Sequence, residues 1–260
     1  DGILSKVTSI VAILFIICPL VFIAGFIDAV AGGGGLISLP AYIFAGVPMH
    51  IAYGTNKFAN CIGTSVASAK FFKSGNIKLK PALISALGAF IGSWAGAQLV
   101  ILLDEKYLKY SLMIILPVVA IFILFNRNFG QDTDVKEISI KKTYILSFII
   151  GLIIGAYDGF FGPGTGTFLL LAFTGICKFN MITASGNAKI VNLSSNLAAL
   201  VVYIFNGKVA FLVGIPAAIC AILGNYIGAN LAISKGNKFI KPVILLVIIM
   251  LFSKVIIDFV

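Results

Sequence analysis

Long apolar runs alternate with short polar intervals along the chain. Stretches 7–27, 81–103 and 209–234 contain no Asp, Glu, Lys or Arg, and each reaches the roughly 20 residues that a helix needs to cross a bilayer. Read through, the pattern predicts five apolar segments at 7–31, 34–48, 51–72, 81–103 and 108–125, then five more at 143–161, 164–177, 181–205, 209–233 and 242–258. The second segment of each set is short for a spanning helix and follows a run of glycines, which predicts a re-entrant or broken helix. A polar stretch at 126–142 divides the chain. The expected organisation is a membrane repeat over 1–125, a polar linker over 126–142 and a second membrane repeat over 143–260.

The two halves also match each other. GFIDAVAGGG at 25–34 aligns with GAYDGFFGPG at 155–164, an offset of 130. GTNKFAN at 54–60 aligns with GNAKIVN at 186–192, and GSWAGAQL at 92–99 with GNYIGANL at 224–231, both at an offset of 132. Three blocks in one order with nearly one spacing indicate duplication of a membrane unit, a common plan in secondary transporters.

Loop charges orient the halves. In the first, the loop after the third segment carries Lys70, Lys73, Lys78 and Lys80, whereas the loop after the fourth mixes Asp104 and Glu105 with Lys106 and Lys109. In the second half the bias reverses, with Lys208 after the third segment and Lys235, Lys238 and Lys241 after the fourth. Lysine-rich loops stay in the cytoplasm, so equivalent loops fall on opposite sides. That predicts inverted repeats of five crossings each with both termini outside. Four plus four crossings with re-entrant second segments ranks second, because it places Lys235, Lys238 and Lys241 outside.

Composition agrees with a membrane location: 60% of residues are hydrophobic and 11% charged, against roughly 45–50% and 25% in a soluble domain. The fold class expected is therefore an all-α polytopic membrane protein, multi-pass in the cytoplasmic membrane, with helices broken at glycine clusters. The net charge of +10 reads as topogenic lysine beside apolar runs, not as a nucleic-acid surface. Cys18, Cys61, Cys177 and Cys220 lie singly in apolar segments and read as packing residues, neither a disulfide framework nor a metal site. The first segment resembles a signal peptide, but its counterpart in the second half argues that it is part of the structure.

Few polar residues interrupt the apolar segments, and most recur by repeat. Lys57, Asn60, Thr64 and Ser68 share one helical face, as do Lys189, Asn192 and Asn196. An intramembrane lysine usually faces a partner or a water-filled cavity and marks a pathway. Snorkelling toward a helix end would explain the lysines alone, but not the asparagine that follows each by three residues. Asp28 and Asp158 form the second recurring pair, each ahead of a glycine cluster that includes Gly34 or Gly164. A half-helix starting after such a break would aim N–H groups and the positive dipole end inward, which suits an anion. The aspartates are either structural partners of the lysines or carriers of a coupling proton. The glycine pairs Gly92 and Gly96, and Gly224 and Gly228, read as helix packing.

Together the glycine-rich segment with Asp28, the GTNK block at 54–57, the GxxxGAxL block at 92–99 and the near-repeat of all three resemble the TauE/SafE family, the sulfite exporter and sulfonate permease group. The resemblance runs from about Ile13 to Phe259. It implies secondary transport of sulfur-containing anions across the cytoplasmic membrane, with seven to nine spans in many members.

The leading expectation is a secondary transporter for sulfite, sulfonates or related oxyanions. Lys57, Asn60, Thr64, Lys189, Asn192, Asn196, Gly34 and Gly164 would bind substrate, and Asp28 and Asp158 would couple protons. A cation or metal transporter using the two aspartates is the alternative, opposed by the nearby lysines and by the lack of a His or Cys ligand cluster. An intramembrane aspartyl protease ranks lower, since Gly164, Thr165 and Gly166 are followed by Thr167 where the protease motif needs Asp. No enzyme activity, cofactor or bound metal is expected, since no Walker-type loop, HExxH or GxSxG motif is present. The partners expected are a small anion and the lipid bilayer, not nucleic acid, and a homo-oligomer stays open.

Overall fold

The structure is a computed structural model that describes residues 2–108, 110, 111, 138–243 and 246. Most of the expected segments 108–125 and 242–258, and of the linker, lies outside the described residues. Every regular element among these is helical: α1 (Gly2–Ala31), α2 (Gly35–Phe44), α3 (Met49–Lys73), α4 (Leu79–Leu102), α5 (Ile140–Phe160), α6 (Thr165–Gly175), α7 (Met181–Phe205) and α8 (Phe211–Lys235). Further helix starts at 105 and 237. Five helices are long and apolar enough to cross a membrane: α1 from Ile10, α4, α5, α7 and α8. The chain is an all-α, multi-pass membrane protein. At 25 residues α3 is as long as α7 and α8, but its polar stripe makes it less apolar, and it buries that stripe among its neighbours.

The short second segments are helices of 10 and 11 residues, about 15 Å each and half a hydrocarbon core. The segment expected at 143–161 begins three residues earlier in the structure. Helix α5 starts at Ile140, so Lys141 and Lys142 belong to its first turn and not to a linker. Like Lys80 in the first turn of α4, they are exposed at a helix end, and such a lysine can carry its head from an apolar segment to water.

Glycines let the main helix pairs touch backbone to backbone. On α4, Gly88, Gly92 and Gly96 lie against Phe148, Leu152 and Ala156 of α5, while Gly151, Gly155 and Gly159 of α5 lie against Ser85, Ala89 and Ser93. Gly224 and Gly228 of α8 lie against Phe22 and Phe26 of α1. Lipid is as apolar as leucine, so close van der Waals contact replaces hydrophobic exclusion as the force that joins these helices.

The order of contacts gives the helix directions. Helices α1 and α8 rise together by the pairs just given, and α3 joins them, with Gly214 against Phe58 and Gly63 against Ala221 and Asn225. Helices α4 and α5 rise together, and α7 with them, since Ser194 Oγ donates to the Ala86 carbonyl and Ser93 Oγ to the Ser195 carbonyl. The two sets oppose each other: Gly54 of α3 meets Tyr203 of α7, whereas Lys57 bonds Asn196. Because α1 and α3 run the same way, α2 and the turn after it carry the chain back between them, as α6 does between α5 and α7. One end of the bundle then carries Lys70, Lys73, Lys78, Lys80, Lys141, Lys142, Lys178 and Lys235 and no described acidic residue. The other end mixes Lys106 and Lys208 with Asp104 and Glu105.

Candidate functional site

The two helix breaks meet in the interior. After α1, Gly32 turns the chain with φ 79°, and after α5, Gly162 does so with φ 88°; these values favour glycine, which has no Cβ to clash. Gly32 packs directly on the backbone of Gly166. The Thr167 N–H and hydroxyl donate to the carbonyls of Gly32 (3.3 Å) and Ala31 (2.7 Å), fastening one break to the other.

Around this crossing the lysines and aspartates pair between halves. Lys57 Nζ donates to Asp158 Oδ2 at 2.7 Å and to Asn196 Oδ1 at 3.0 Å. Ser195 Oγ also donates to Asp158 Oδ2, at 2.6 Å. Both members of this ion pair are 3% exposed. Lys189 reaches the Asp28 carbonyl and lies 3.3 Å from Asp28 Oδ2; here the lysine is 2% exposed and the carboxylate 16%. Each lysine is thus neutralised by the aspartate of the other half. Buried charges need such partners, because an unpaired ion in a medium of low dielectric is costly.

A cavity of about 20 Å³ lies between the pairs, room for about one water. Lys57, Asn60, Asn192 and Asn196 line it, with Asp28 and Asp158. The first residues of α2 and α6, Gly35, Thr165 and Gly166, also line it. The N–H groups of Leu36, Ile37, Thr165 and Thr167 already donate to the carbonyls of Gly33, Gly34, Gly162 and Gly32, so what the wall offers an anion is the positive end of two helix dipoles and the N–H groups of Gly35 and Gly166.

Other expected site residues stand further back. Lys189 is not part of the wall and reaches it only through Asp28. Thr64 is buried on α3 beyond the lining. Gly34, the N-cap of α2, is pressed against the Asp28 turn of α1, and Gly164, the left-handed N-cap of α6, faces the Phe168 ring. Gly32, Gly35, Gly162 and Gly166 line the cavity instead, since Gly34 and Gly164 shape the breaks from behind.

Two residues were not anticipated. Asn56 lines the cavity, and its buried Oδ1 has no hydrogen-bond partner among the described residues. Ser195 holds Asp158. At the repeat offset of 132 their counterparts are Ala188 and Gly63, so a search for recurring polar residues passes over both. Their adjacency to Lys57 and Asn196 was the available signal.

Each aspartate is engaged by a lysine, an arrangement unlike the two carboxylates sharing a proton in an aspartyl protease. Among the described residues no three His, Cys, Asp or Glu side chains converge as metal ligands.

Opposed sets of membrane helices thus enclose a buried ionic cavity, with short helices broken at its wall, and the comparisons with known proteins give the class as a membrane transporter. The chain belongs to the TauE/SafE family: residues 17–255 match the family described as Sulfite exporter TauE/SafE. Among curated relatives it is 36% identical to the probable membrane transporter protein ORF9 of Sinorhizobium sp, over 91% of this chain and 90% of that protein. It is 34% identical to a probable membrane transporter protein of Haemophilus influenzae, over 96% and 95% of the two chains. It is also 34% identical to the probable membrane transporter protein YfcA of Escherichia coli K12, over 94% and 93%. No solved structure matches the chain.

Proposed function

We propose that the protein carries a small oxyanion of the sulfite or sulfonate kind, which displaces the aspartates from Lys57 and Lys189 while Asp28 and Asp158 take up protons. The observation that carries this reading is the crossed ion pairing beside a cavity walled by helix N-termini. With both pairs intact the site is electrically neutral. An added dianion would leave two uncompensated negative charges in a low-dielectric interior, a cost that protonation of the released carboxylates removes. Anion binding and proton uptake are then linked. The family description supports the sulfur-oxyanion class.

The same reading takes the two halves, 1–125 and 143–260, as inverted repeats whose relative movement alternates access. The opposed helix directions support it, as do exchanged contacts at equivalent positions. Asn76 packs its carbonyl on Gly186 as Lys208 does on Gly54. The Lys78 N–H donates to Asn187 Oδ1 at 2.9 Å as the Ala210 N–H does to Thr55 Oγ1 at 3.0 Å. Contact of i with j′ and of j with i′ is the mark of a two-fold relation. With lysine-rich loops in the cytoplasm, single cysteines at Lys78 and Lys238 should react with a membrane-impermeant thiol reagent from the same, cytoplasmic side. Labelling from opposite sides would exclude the arrangement.

Proteoliposomes assayed with labelled sulfite, sulfate and small sulfonates, with and without a pH gradient, test the transport reading. Lys57→Gln and Lys189→Gln should each reduce anion binding by about 30-fold or more, the usual result of removing one partner from a buried charged contact. Asp28→Asn and Asp158→Asn should retain binding and lose gradient-driven accumulation. If both Asn variants still concentrate substrate in response to pH, the aspartates are structural and the coupling mechanism is wrong.

A further inference from the structure

A second cavity, of about 510 Å³, opens at the lysine-bearing end of the bundle, between the start of α4, the start of α5 and the turn after α6. Three lysines line it, Lys78, Lys80 and Lys178, with no acidic residue among the described lining. The rest of the wall is largely apolar, with Leu79, Ile140 and Phe179 beside the Tyr144 ring. Like Lys80 and Lys178, Lys78 is exposed. Its backbone N–H donates to Asn187 Oδ1, and its ammonium group sits 4.4 Å from the centroid of the Phe179 ring. Lys178 has φ 56°, the one left-handed backbone among the described non-glycine residues. Gly46, in the equivalent turn between α2 and α3, has φ 81°, so the conformation belongs to the shared turn, and Lys178 bears there a cost of order 1–3 kcal/mol that glycine avoids.

Topogenic lysine would explain positive charge at this end, but not its convergence on a cavity. The repeat provides an internal comparison. Ala210 and Leu212 stand where Lys78 and Lys80 would recur at offset 132, and Gly46 stands where Lys178 would recur, since the N-caps Pro48 of α3 and Asn180 of α7 share that offset. The duplicated scaffold therefore carries all three lysines at one end only.

We propose that this cavity binds an anionic phospholipid, its phosphate held by Lys78, Lys80 and Lys178 and its upper acyl chain against Leu79 and Ile140. Two features of the cavity select this occupant. The charge is complementary to phosphate, and the cavity lies where membrane helices emerge, with Ile140 70% and Leu79 46% exposed beside it. An amphiphile with a negative head satisfies both walls at once, and anionic lipids concentrate in the cytoplasmic leaflet, where basic pockets between helices bind them.

Native mass spectrometry of the purified full chain, titrated with phosphatidylglycerol or phosphatidylcholine, tests the assignment. Phosphatidylglycerol should bind in preference. The combined substitution Lys78→Gln, Lys80→Gln and Lys178→Gln should weaken that binding by about tenfold, an allowance below the surface contribution of three lysines, and leave phosphatidylcholine unaffected. Lys73→Gln, Lys235→Gln and Lys238→Gln, which remove the same charge from the same end, should change it by less than about twofold. Lys178→Gly retains the left-handed backbone at no steric cost and should also weaken phosphatidylglycerol binding, which covers the case in which the triple variant does not fold. Equal losses in the two triple variants, or full binding by Lys178→Gly, would overturn the site. Displacement of the lipid by an equal concentration of inorganic phosphate would assign the cavity to a free anion and overturn the lipid.

Discussion

Lys57→Gln should destabilise the folded protein by about 3–5 kcal/mol, the range for removing one partner of a buried ion pair. Asp158 is 3% exposed and takes hydrogen bonds from Lys57 and Ser195 on the same oxygen. Without the ammonium group its charge has only the hydroxyl to satisfy it. Adding Asp158→Asn to Lys57→Gln should recover much of the loss, because the double variant buries two neutral amides and no orphan charge. Lys189→Gln should cost less, since Asp28 is 16% exposed and its carboxylate contact is longer, at 3.3 Å. Thermal unfolding of these three variants and of Asp158→Asn in one detergent measures the coupling. A double variant no more stable than Lys57→Gln would mean that the pair contributes nothing through charge.

Gly32→Ala should rank with it. The alanine must adopt φ 79° and would place its Cβ inside the backbone of Gly166 and Thr167, on the other helix break. The left-handed conformation costs roughly 1–2 kcal/mol, and overpacking against backbone adds about 1–3 kcal/mol, because no side chain there can swing away. Gly46→Ala is the matched control: φ is 81°, yet a Cβ would meet nothing within 4 Å. It should cost only the conformational share. Equal losses at the two positions would show that the crossing of the breaks is not a tight contact. If Gly32→Ala folds but transports poorly, the crossing matters to movement as well as to stability.

Much of the helical framework was legible before any coordinates. The start of the segment expected at 181–205 coincides with α7, and α3 and α4 differ from expectation by one or two residues at each end. A helix in lipid must satisfy all its backbone groups internally, so its limits follow from where apolar residues give way to Lys, Asn and Gly. The start of α5 lies three residues ahead of the expected segment, because Lys141 and Lys142 read as linker although a first-turn lysine can extend its head to the interface. The breaks at Gly32 and Gly162 were visible as glycine clusters. Which glycine meets which neighbour was not, since Gly34 and Gly164 differ from Gly32 and Gly166 in the third dimension alone.

The sequence by itself determined that this is a helical membrane protein whose two halves share three blocks of similar residues, with a few recurring polar residues inside its apolar segments. Those properties depend on local composition and on spacing within one chain segment. Only the tertiary structure decided that Lys57 pairs with Asp158 and Lys189 with Asp28, because partners across the molecule depend on which helices pack together, and here each half packs against the other. It alone brought in Asn56 and Ser195, whose positions carry Ala188 and Gly63 in the opposite half. It also set the cavity at about 20 Å³, since a volume between helices is decided by how closely glycine lets their backbones approach, and no local pattern encodes that distance.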